Sequence, residues 1–131
     1  MRKTIPLAAI LVLAPALGWA LTATARSGAK TQMTTHFQVD GQCSPNRVEI
    51  AVLTAPANGT VTSEQKDIVV PARNGKGEIQ KCAGKTVRGV AVFYQSKPGF
   101  SGKDSFRYRR FNPNDAHDRF NQEVVFDVMV R

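Results

Sequence analysis

Apolar and polar residues alternate along several short segments of this chain, and a two-residue period is typical of β-strands with one buried face. The clearest example is Arg47–Leu53, in which Val48, Ile50 and Val52 share one side. Similar patterns or short β-type runs occur in six further segments: Thr34–Val39, Asp67–Val70, Glu78–Lys81, Val87–Gln95, Ser105–Arg110 and Glu123–Arg131. Beyond the N-terminal region no stretch has a sustained apolar period of 3.6 residues. The pattern therefore predicts an all-β protein.

The later segments differ in how many of their faces are apolar. Val87–Gln95 is apolar on both faces, which predicts a central strand. In the next strand Phe106 and Tyr108 point to one side, whereas Arg107 and Arg109 point to the other. The last strand has a single apolar face, formed by Val124, Phe126, Val128 and Val130. About seven short strands in roughly 100 residues, with turn signals between them, fit an antiparallel β-sandwich.

The N-terminal segment predicts export. Arg2 and Lys3 precede an almost unbroken apolar run, and Ala23-Thr24-Ala25 provides the small-x-small pattern of a cleavage site. We predict a signal peptide at residues 1–25, a flexible leader at 26–33 and the sandwich domain at 34–131. Cleavage after Ala20 is the alternative to cleavage after Ala25.

No apolar run in the chain has the length that a membrane-spanning helix usually needs. The mature chain is therefore expected to have no transmembrane segment and to be periplasmic or secreted. The whole chain has a net charge of +8, and residues 1–25 contain two basic residues and no acidic ones. The rest of the chain therefore has a net charge of +6, which favours attraction to anionic surfaces.

The only two cysteines, Cys43 and Cys82, both follow the predicted signal peptide. An exported chain with two cysteines most simply pairs them, and a bridge across this separation typically contributes about 3–4 kcal/mol. The alternatives are weaker, because the histidines, His36 and His117, lack metal-site spacing to a cysteine and there is no C-x-x-C pair. The sequence predicts a structural disulfide, with neither a metal nor a cofactor.

The segment Tyr94–Tyr108 reads YQSKPGFSGKDSFRY, with aromatic residues around a turn-rich centre. It resembles the signature of bacterial immunoglobulin-like, cadherin-like modules, Y-x-P-x-x-G-F-x-G-x-D-x-F-x-Y. The matching residues are Tyr94, Gly99, Phe100, Gly102, Asp104, Phe106 and Tyr108. Ser96 stands where the family usually has proline. A second similarity is the P-x-N-G-T-V string from Pro56 to Val61.

The resemblance implies an immunoglobulin-like fold in a single-domain exported member. Modules of this kind usually occur as repeats that act as spacers or adhesion units, and a solitary domain fits binding better than spacing. The signature aromatics are expected to pack in the core rather than form a sugar-stacking platform. Asp104, at the start of a strand, is expected to accept backbone N–H bonds from a neighbouring loop.

The chain lacks the common catalytic signatures, since it has no G-x-S-x-G elbow, no phosphate loop and no H-E-x-x-H. We therefore predict a non-enzymatic protein with a structural or binding role in the bacterial envelope. The alternative is a small periplasmic hydrolase or metal-dependent enzyme using Asp104, Asp115, His117 and Asp118. The competing interpretation of the last three is a polar hairpin loop, which Asp and Asn residues favour.

Basic residues near the C-terminus form the candidate binding site: Lys103, Arg107, Arg109, Arg110 and Arg119. A flat cationic sheet face could hold an anionic glycan, lipid headgroups or an acidic envelope protein. The alternative is cross-strand pairing with Glu123 and Asp127, which have suitable parity on the last strand. Nucleic acid is not expected as a partner, because export separates the protein from it.

Overall fold

Two β-sheets packed face to face form the protein in a computed structural model, which describes residues 20–72 and 78–131. The described residues form seven strands: β1 (Ala20–Ala25), β2 (Thr31–His36), β3 (Glu49–Thr54), β4 (Gly59–Val69), β5 (Thr86–Ser96), β6 (Gly102–Phe111) and β7 (Gln122–Val130). One sheet has the order β1-β7-β6-β3 and the other has the order β2-β5-β4. The predicted all-β, immunoglobulin-like sandwich is confirmed. None of the helices in these residues is long and apolar enough to cross a membrane.

Strand β1 occupies the edge of the four-stranded sheet. It pairs in parallel with β7, from Ala20 opposite Val125 to Ala25 opposite Val130, whereas all other neighbouring strands are antiparallel. This strand lies inside the segment predicted as a signal peptide. The rest of that segment, residues 1–19, lies outside the described residues.

The structure also differs from the predicted flexible leader at residues 26–33. Residues 26–30 form the turn between β1 and β2, in which the Ala29 N–H donates to the Arg26 carbonyl at 3.1 Å. Gly28 adopts a φ of 74°, which glycine permits without steric cost. Strand β1 ends at Ala25 and strand β2 begins at Thr31, so described strands lie on both sides of this turn.

Two predicted strands in the middle of the chain have a different form. Asp67–Val70 is largely the end of the long strand β4, which starts at Gly59. Glu78–Lys81 belongs to a short 3-10 helix, Glu78–Cys82, and is not an extended strand. The turn continues with a bond from the Lys85 N–H to the Cys82 carbonyl. The predicted loop tip at residues 74–77 lies outside the described residues.

The main core lies between the two sheets and contains the aromatic residues of the signature. Tyr94, Phe106 and Tyr108 are almost completely buried, together with Phe126 from β7. The Phe106 and Phe126 rings stack with centroids 5.3 Å apart, and Tyr94 stacks on Phe106 at 5.9 Å. Burying each such side chain stabilises the fold by about 1.5–3 kcal/mol. The structure places these aromatics in the core, as expected, and not on an exposed platform.

A second, smaller core surrounds the disulfide. Cys43, in the loop between β2 and β3, is bonded to Cys82 at the end of the 3-10 helix, with their Cα atoms 5.5 Å apart. Val70 and Val87 are buried beside the bridge. The predicted Cys43–Cys82 disulfide is confirmed, and it joins the two connections at this end of the sandwich.

The carboxylate of Asp104 joins the two sheets at the start of β6. Asp104 as a residue is only 7% exposed, and the Tyr94 hydroxyl, from the other sheet, donates to its carboxylate at 2.7 Å. The backbone N–H groups of Ala57 and Asn58 donate at 3.1 and 3.2 Å, and that of Ser105 donates at 2.9 Å. The two segments that resemble the module family are therefore bonded to each other through Asp104.

The surroundings of the Tyr94 hydroxyl, including its bond to Asp104, shift the pKa of this tyrosine. Burial, with the hydrogen bond to the Asp104 carboxylate and its negative charge, raises the pKa of Tyr94. The phenol therefore stays protonated and remains a donor. Such a bond between a neutral donor and a buried charge is stronger than one between two neutral groups.

Replacing Asp104 by Asn should destabilise the fold strongly, because an amide has one acceptor oxygen and its NH₂ group would face backbone donors. We expect Asp104→Asn to lower the free energy of unfolding by about 2–4 kcal/mol and Tyr94→Phe by about 1–2 kcal/mol. Urea denaturation of the two single variants and the double variant measures both losses and their coupling.

The matched control is Asp67→Asn, which changes an exposed carboxylate on β4 and should alter stability by less than about 0.5 kcal/mol. Losses that simply add in the double variant would contradict a direct Tyr94–Asp104 interaction.

Candidate functional site

The outer face of the four-stranded sheet carries the first part of the predicted basic site. Along β6 the inward positions are buried, so the side chains of Lys103, Ser105, Arg107 and Arg109 point outward. They stand opposite Met129, Asp127, Val125 and Glu123 of β7, in that order. We call Lys103, Arg107 and Arg109 the basic face.

Both arginines of the basic face contact one carboxylate. The guanidinium groups of Arg107 and Arg109 lie 3.5 and 3.3 Å from the two oxygens of Glu123. All three side chains are a little under half exposed, so these pairs are screened by water and contribute little to stability. The pairing with Glu123 orients two positive charges and neutralises one of them.

Lys103 makes no ion pair with any residue in the described part of the chain, and neither does Asp127. Asp127 stands opposite Ser105 rather than opposite an arginine. Of the two acidic residues considered as partners for the arginines, only Glu123 has that role. The basic face therefore keeps an excess of positive charge.

The other two predicted residues lie elsewhere. Arg110 points toward the space between the sheets, where its guanidinium lies 4.6 Å from the centre of the Phe120 ring and donates to the Gln122 side chain at 3.0 Å. Arg119 is exposed on the loop between β6 and β7. The structure thus brings together three of the five predicted basic residues.

The loop between β6 and β7 is built by side chains that bind backbone groups. The Asp115 carboxylate accepts the His117 N–H at 3.1 Å, and the Asp118 carboxylate accepts the Phe120 N–H at 2.8 Å. The Gln38 side chain also donates to Asp118. The bonds from Phe120 and Gln38 lower the pKa of Asp118. These contacts give the loop a defined shape.

The four residues of the alternative enzyme do not meet in one place. Asp104 is near the start of β6, and Asp115, His117 and Asp118 follow its other end, about 23 Å away along the strand. The Asp104 carboxylate is occupied by the four hydrogen bonds described above. Within residues 20–72 and 78–131, no group of three or more His, Cys, Asp or Glu residues is placed to hold a metal ion.

A groove of about 840 Å³ lies beside Lys103, on the same outer face. It crosses β1, β7 and β6 and ends at Ala57 and Asn58, where β3 no longer covers the edge of β6. Thr22 and Thr24 of β1 line one end. Sequence reasoning missed both threonines, because they fall in the segment that we expected the signal peptidase to remove.

His36 forms a second polar contact between the sheets. It is buried, and its Nε2 atom lies 2.6 Å from the Tyr108 hydroxyl, while Nδ1 lies 3.4 Å from the Arg110 guanidinium. A guanidinium can only donate, so Nδ1 accepts and Nε2–H donates to the tyrosine oxygen. Burial, with the charge of Arg110 nearby, lowers the pKa of His36 from 6.5 to about 4. Burial raises the pKa of Tyr108.

No protein-family model matches the chain, and no curated protein matches it significantly. Among solved structures, the solution structure of Amebosin is similar to it with a TM-score of 0.47 and 12% sequence identity. The similarity covers 84% of this chain and 88% of that chain.

The lowered pKa of His36 predicts a loss of stability in mild acid. Between pH 6.5 and about 4 the unfolded chain binds a proton at His36 and the folded protein does not, so the free energy of unfolding falls as the pH falls. The loss from this residue reaches about 3 kcal/mol at the lower end. Urea denaturation at a series of pH values measures it.

The comparison for this titration is His36→Gln, which removes the group but keeps a polar side chain of similar size. The difference in unfolding free energy between wild type and His36→Gln should shrink as the pH falls from 6.5 to 4. His117→Gln, on the exposed loop, is the control for the substitution itself and should leave the free energy of unfolding near the wild-type value. If wild type and His36→Gln lose stability in parallel over this range, the assignment to His36 is wrong.

Proposed function

We propose that the protein is an exported, non-enzymatic immunoglobulin-like module of the bacterial envelope that binds an anionic glycan through the basic face. The observation that carries the proposal is the pairing of the single Glu123 carboxylate with two arginines while Lys103 has no acidic partner among residues 20–72 and 78–131. The face therefore has unmatched positive charge on a rigid sheet. Its resemblance to surface modules with adhesion roles supports a binding function.

The chemistry of the basic face suits carboxylate or sulfate groups. A guanidinium presents a planar fork of N–H donors, which can bind such groups with two parallel hydrogen bonds. Glu123 holds Arg107 and Arg109 by exposed and weak contacts, so an incoming anion can compete for the same donors. The net charge of +6 outside the predicted signal peptide attracts a polyanion from a distance.

An acidic envelope protein is the other partner class that this charge could attract. The glycan is favoured because the face is an exposed sheet surface, where the three cations follow one strand at intervals of two or four residues. Such a row matches a linear polymer with regularly spaced negative groups. Binding to an acidic protein but not to any acidic glycan would contradict the proposal.

Binding of the purified protein to polygalacturonate should be measurable at about 50 mM salt and should weaken by about 300 mM, since exposed charges are then screened. Arg107→Ala/Arg109→Ala should weaken it about tenfold or more, which corresponds to roughly 0.7 kcal/mol or more for each lost charge. Isothermal titration calorimetry measures the change.

The control variant for binding is Lys66→Ala/Arg88→Ala, which removes the same amount of charge from the three-stranded sheet. It should keep most of the affinity, and neutral dextran should not bind. Equal weakening in the two double variants would reveal nonspecific attraction. An absence of wild-type binding at low salt would overturn the proposal.

Export belongs to the same proposal, and the structure bears on where the signal peptide would end. The Cys43–Cys82 disulfide is typical of proteins in an oxidising compartment. Cleavage after Ala25 would remove all of β1, including the buried Ala25, whose carbonyl accepts the Arg131 N–H at 3.0 Å. Cleavage after Ala20 would keep nearly the whole strand. We therefore favour cleavage after Ala20.

The mature protein should begin at Leu21. Intact-mass measurement and N-terminal sequencing of material recovered from the periplasm or medium should find this terminus, and a terminus at Arg26 would contradict it. A chain expressed from Arg26 should unfold at lower temperature than one expressed from Leu21. The reason is that the paired edge of β7 would be exposed.

A further inference from the structure

The groove beside Lys103 has a regular construction that follows from strand register. Side chains on one face of a sheet form rows across the strands, and adjacent rows are two residues apart, about 6.6 Å. One wall of the groove is the row Thr22, Asp127 and Ser105, and the other is the row Thr24, Met129 and Lys103. The floor is the backbone of the residues between them, Ala23, Val128 and Asp104.

The side chains in these two walls are free to bind a ligand. The hydroxyls of Thr22, Thr24 and Ser105, the Lys103 ammonium and the Asp127 carboxylate make no side-chain hydrogen bond or ion pair with any residue that the structure describes. All five residues are exposed. Met129 is half-buried and gives one wall an apolar surface. The groove therefore combines one cation, one anion, three hydroxyls and one apolar contact.

The negative charge of the Asp127 carboxylate limits which anions can bind in the groove. It would repel a ligand with dense negative charge, such as a phosphate or a polysulfated unit, because no cation of the described chain pairs with it. A carboxylate is a strong acceptor for hydroxyl donors, and an ammonium in the opposite wall is a strong donor to a carboxylate. The complementary ligand has several hydroxyls and a single carboxylate.

We propose that this groove is the subsite for a uronic acid unit, with Lys103 binding the sugar carboxylate and Asp127 accepting sugar hydroxyls. The threonine and serine hydroxyls complete the contacts, and Met129 packs on the apolar face of the ring. A volume of about 840 Å³ exceeds one sugar ring and accommodates a short oligosaccharide. The inference rests on the proposed function and names its ligand class.

The position of the groove relative to the two arginines supports a polymer. Along β6, Arg107 stands in the row directly beyond Ser105, and Arg109 stands in the next row. A uronic acid chain that passes over Ser105 out of the groove and continues along β6 therefore meets both guanidinium groups. The basic face attracts the polymer, and the groove recognises the sugar.

The proposed role of Asp127 is tested by whether its substitution weakens or strengthens the binding of a uronic acid oligosaccharide. Asp127→Ala makes the protein more positive, so attraction by charge alone would make a trigalacturonate bind more tightly. The subsite requires the opposite, a loss of about three- to tenfold, because hydroxyl contacts disappear. Thr22→Val, which keeps the side-chain shape, should also weaken binding about three- to tenfold.

The matched control is Glu64→Ala, which removes a carboxylate on the three-stranded sheet and should not weaken trigalacturonate binding. In wild type, nuclear magnetic resonance titration should shift the backbone amides of Ala23 and Val128, which needs no variant. A sulfated trisaccharide of higher charge should bind the groove more weakly than trigalacturonate does.

The outcomes separate the two proposals. If wild type binds polygalacturonate while Asp127→Ala and Thr22→Val bind trigalacturonate as tightly as wild type or more tightly, the groove assignment is overturned and the basic face stands. If no acidic glycan binds wild type, the proposed function and the subsite are both overturned. Weaker binding by both groove variants, with shifts at the groove amides, supports the subsite.

Discussion

The buried carboxylate of Asp104 is the interaction on which the rest of the structure depends. An ionised group costs several kcal/mol to bury unless donors surround it, and here four donors come from three segments of the chain. Tyr94 must approach from the other sheet, and the loop through Ala57 must close against β6. Asp104 and Tyr94 of the sequence signature and the backbone of Ala57 and Asn58 in the P-x-N-G string are thus parts of one polar contact, and the aromatic core packs around it.

That contact also determines which side chains face outward. Once Asp104 is anchored inward, the strand period directs Phe106 and Tyr108 into the core and leaves Lys103, Ser105, Arg107 and Arg109 on the opposite face. The basic face is therefore held by a rigid scaffold rather than by a mobile loop. A site on such a strand keeps its spacing when a ligand arrives, which reduces the entropy lost on binding.

Much of this arrangement could be predicted from the sequence, because alternation on β6 and β7 is regular and two cysteines in a chain that is expected to be exported favour a disulfide. Three features could not. The Ala23-Thr24-Ala25 pattern is compatible with both a cleavage site and an edge strand. The strand can be recognised only from its pairing with β7 in the structure. The segment Glu78–Lys81 is too short for periodicity to separate a strand from a turn. Strand parity also does not show that Glu123 contacts both arginines.

The parallel pairing of β1 with β7 determines when the four-stranded sheet can close. Each pair joins residues 105 positions apart, as Ala20 and Val125 are, so the first of the described strands cannot pair until the last has been synthesised. Contacts of such long range form slowly, because the intervening chain must be ordered first. Until β7 arrives, residues 20–25 have no partner strand among the described residues of this sheet. The four-stranded sheet therefore gains its β1 edge only after the residues up to Val130 have been synthesised.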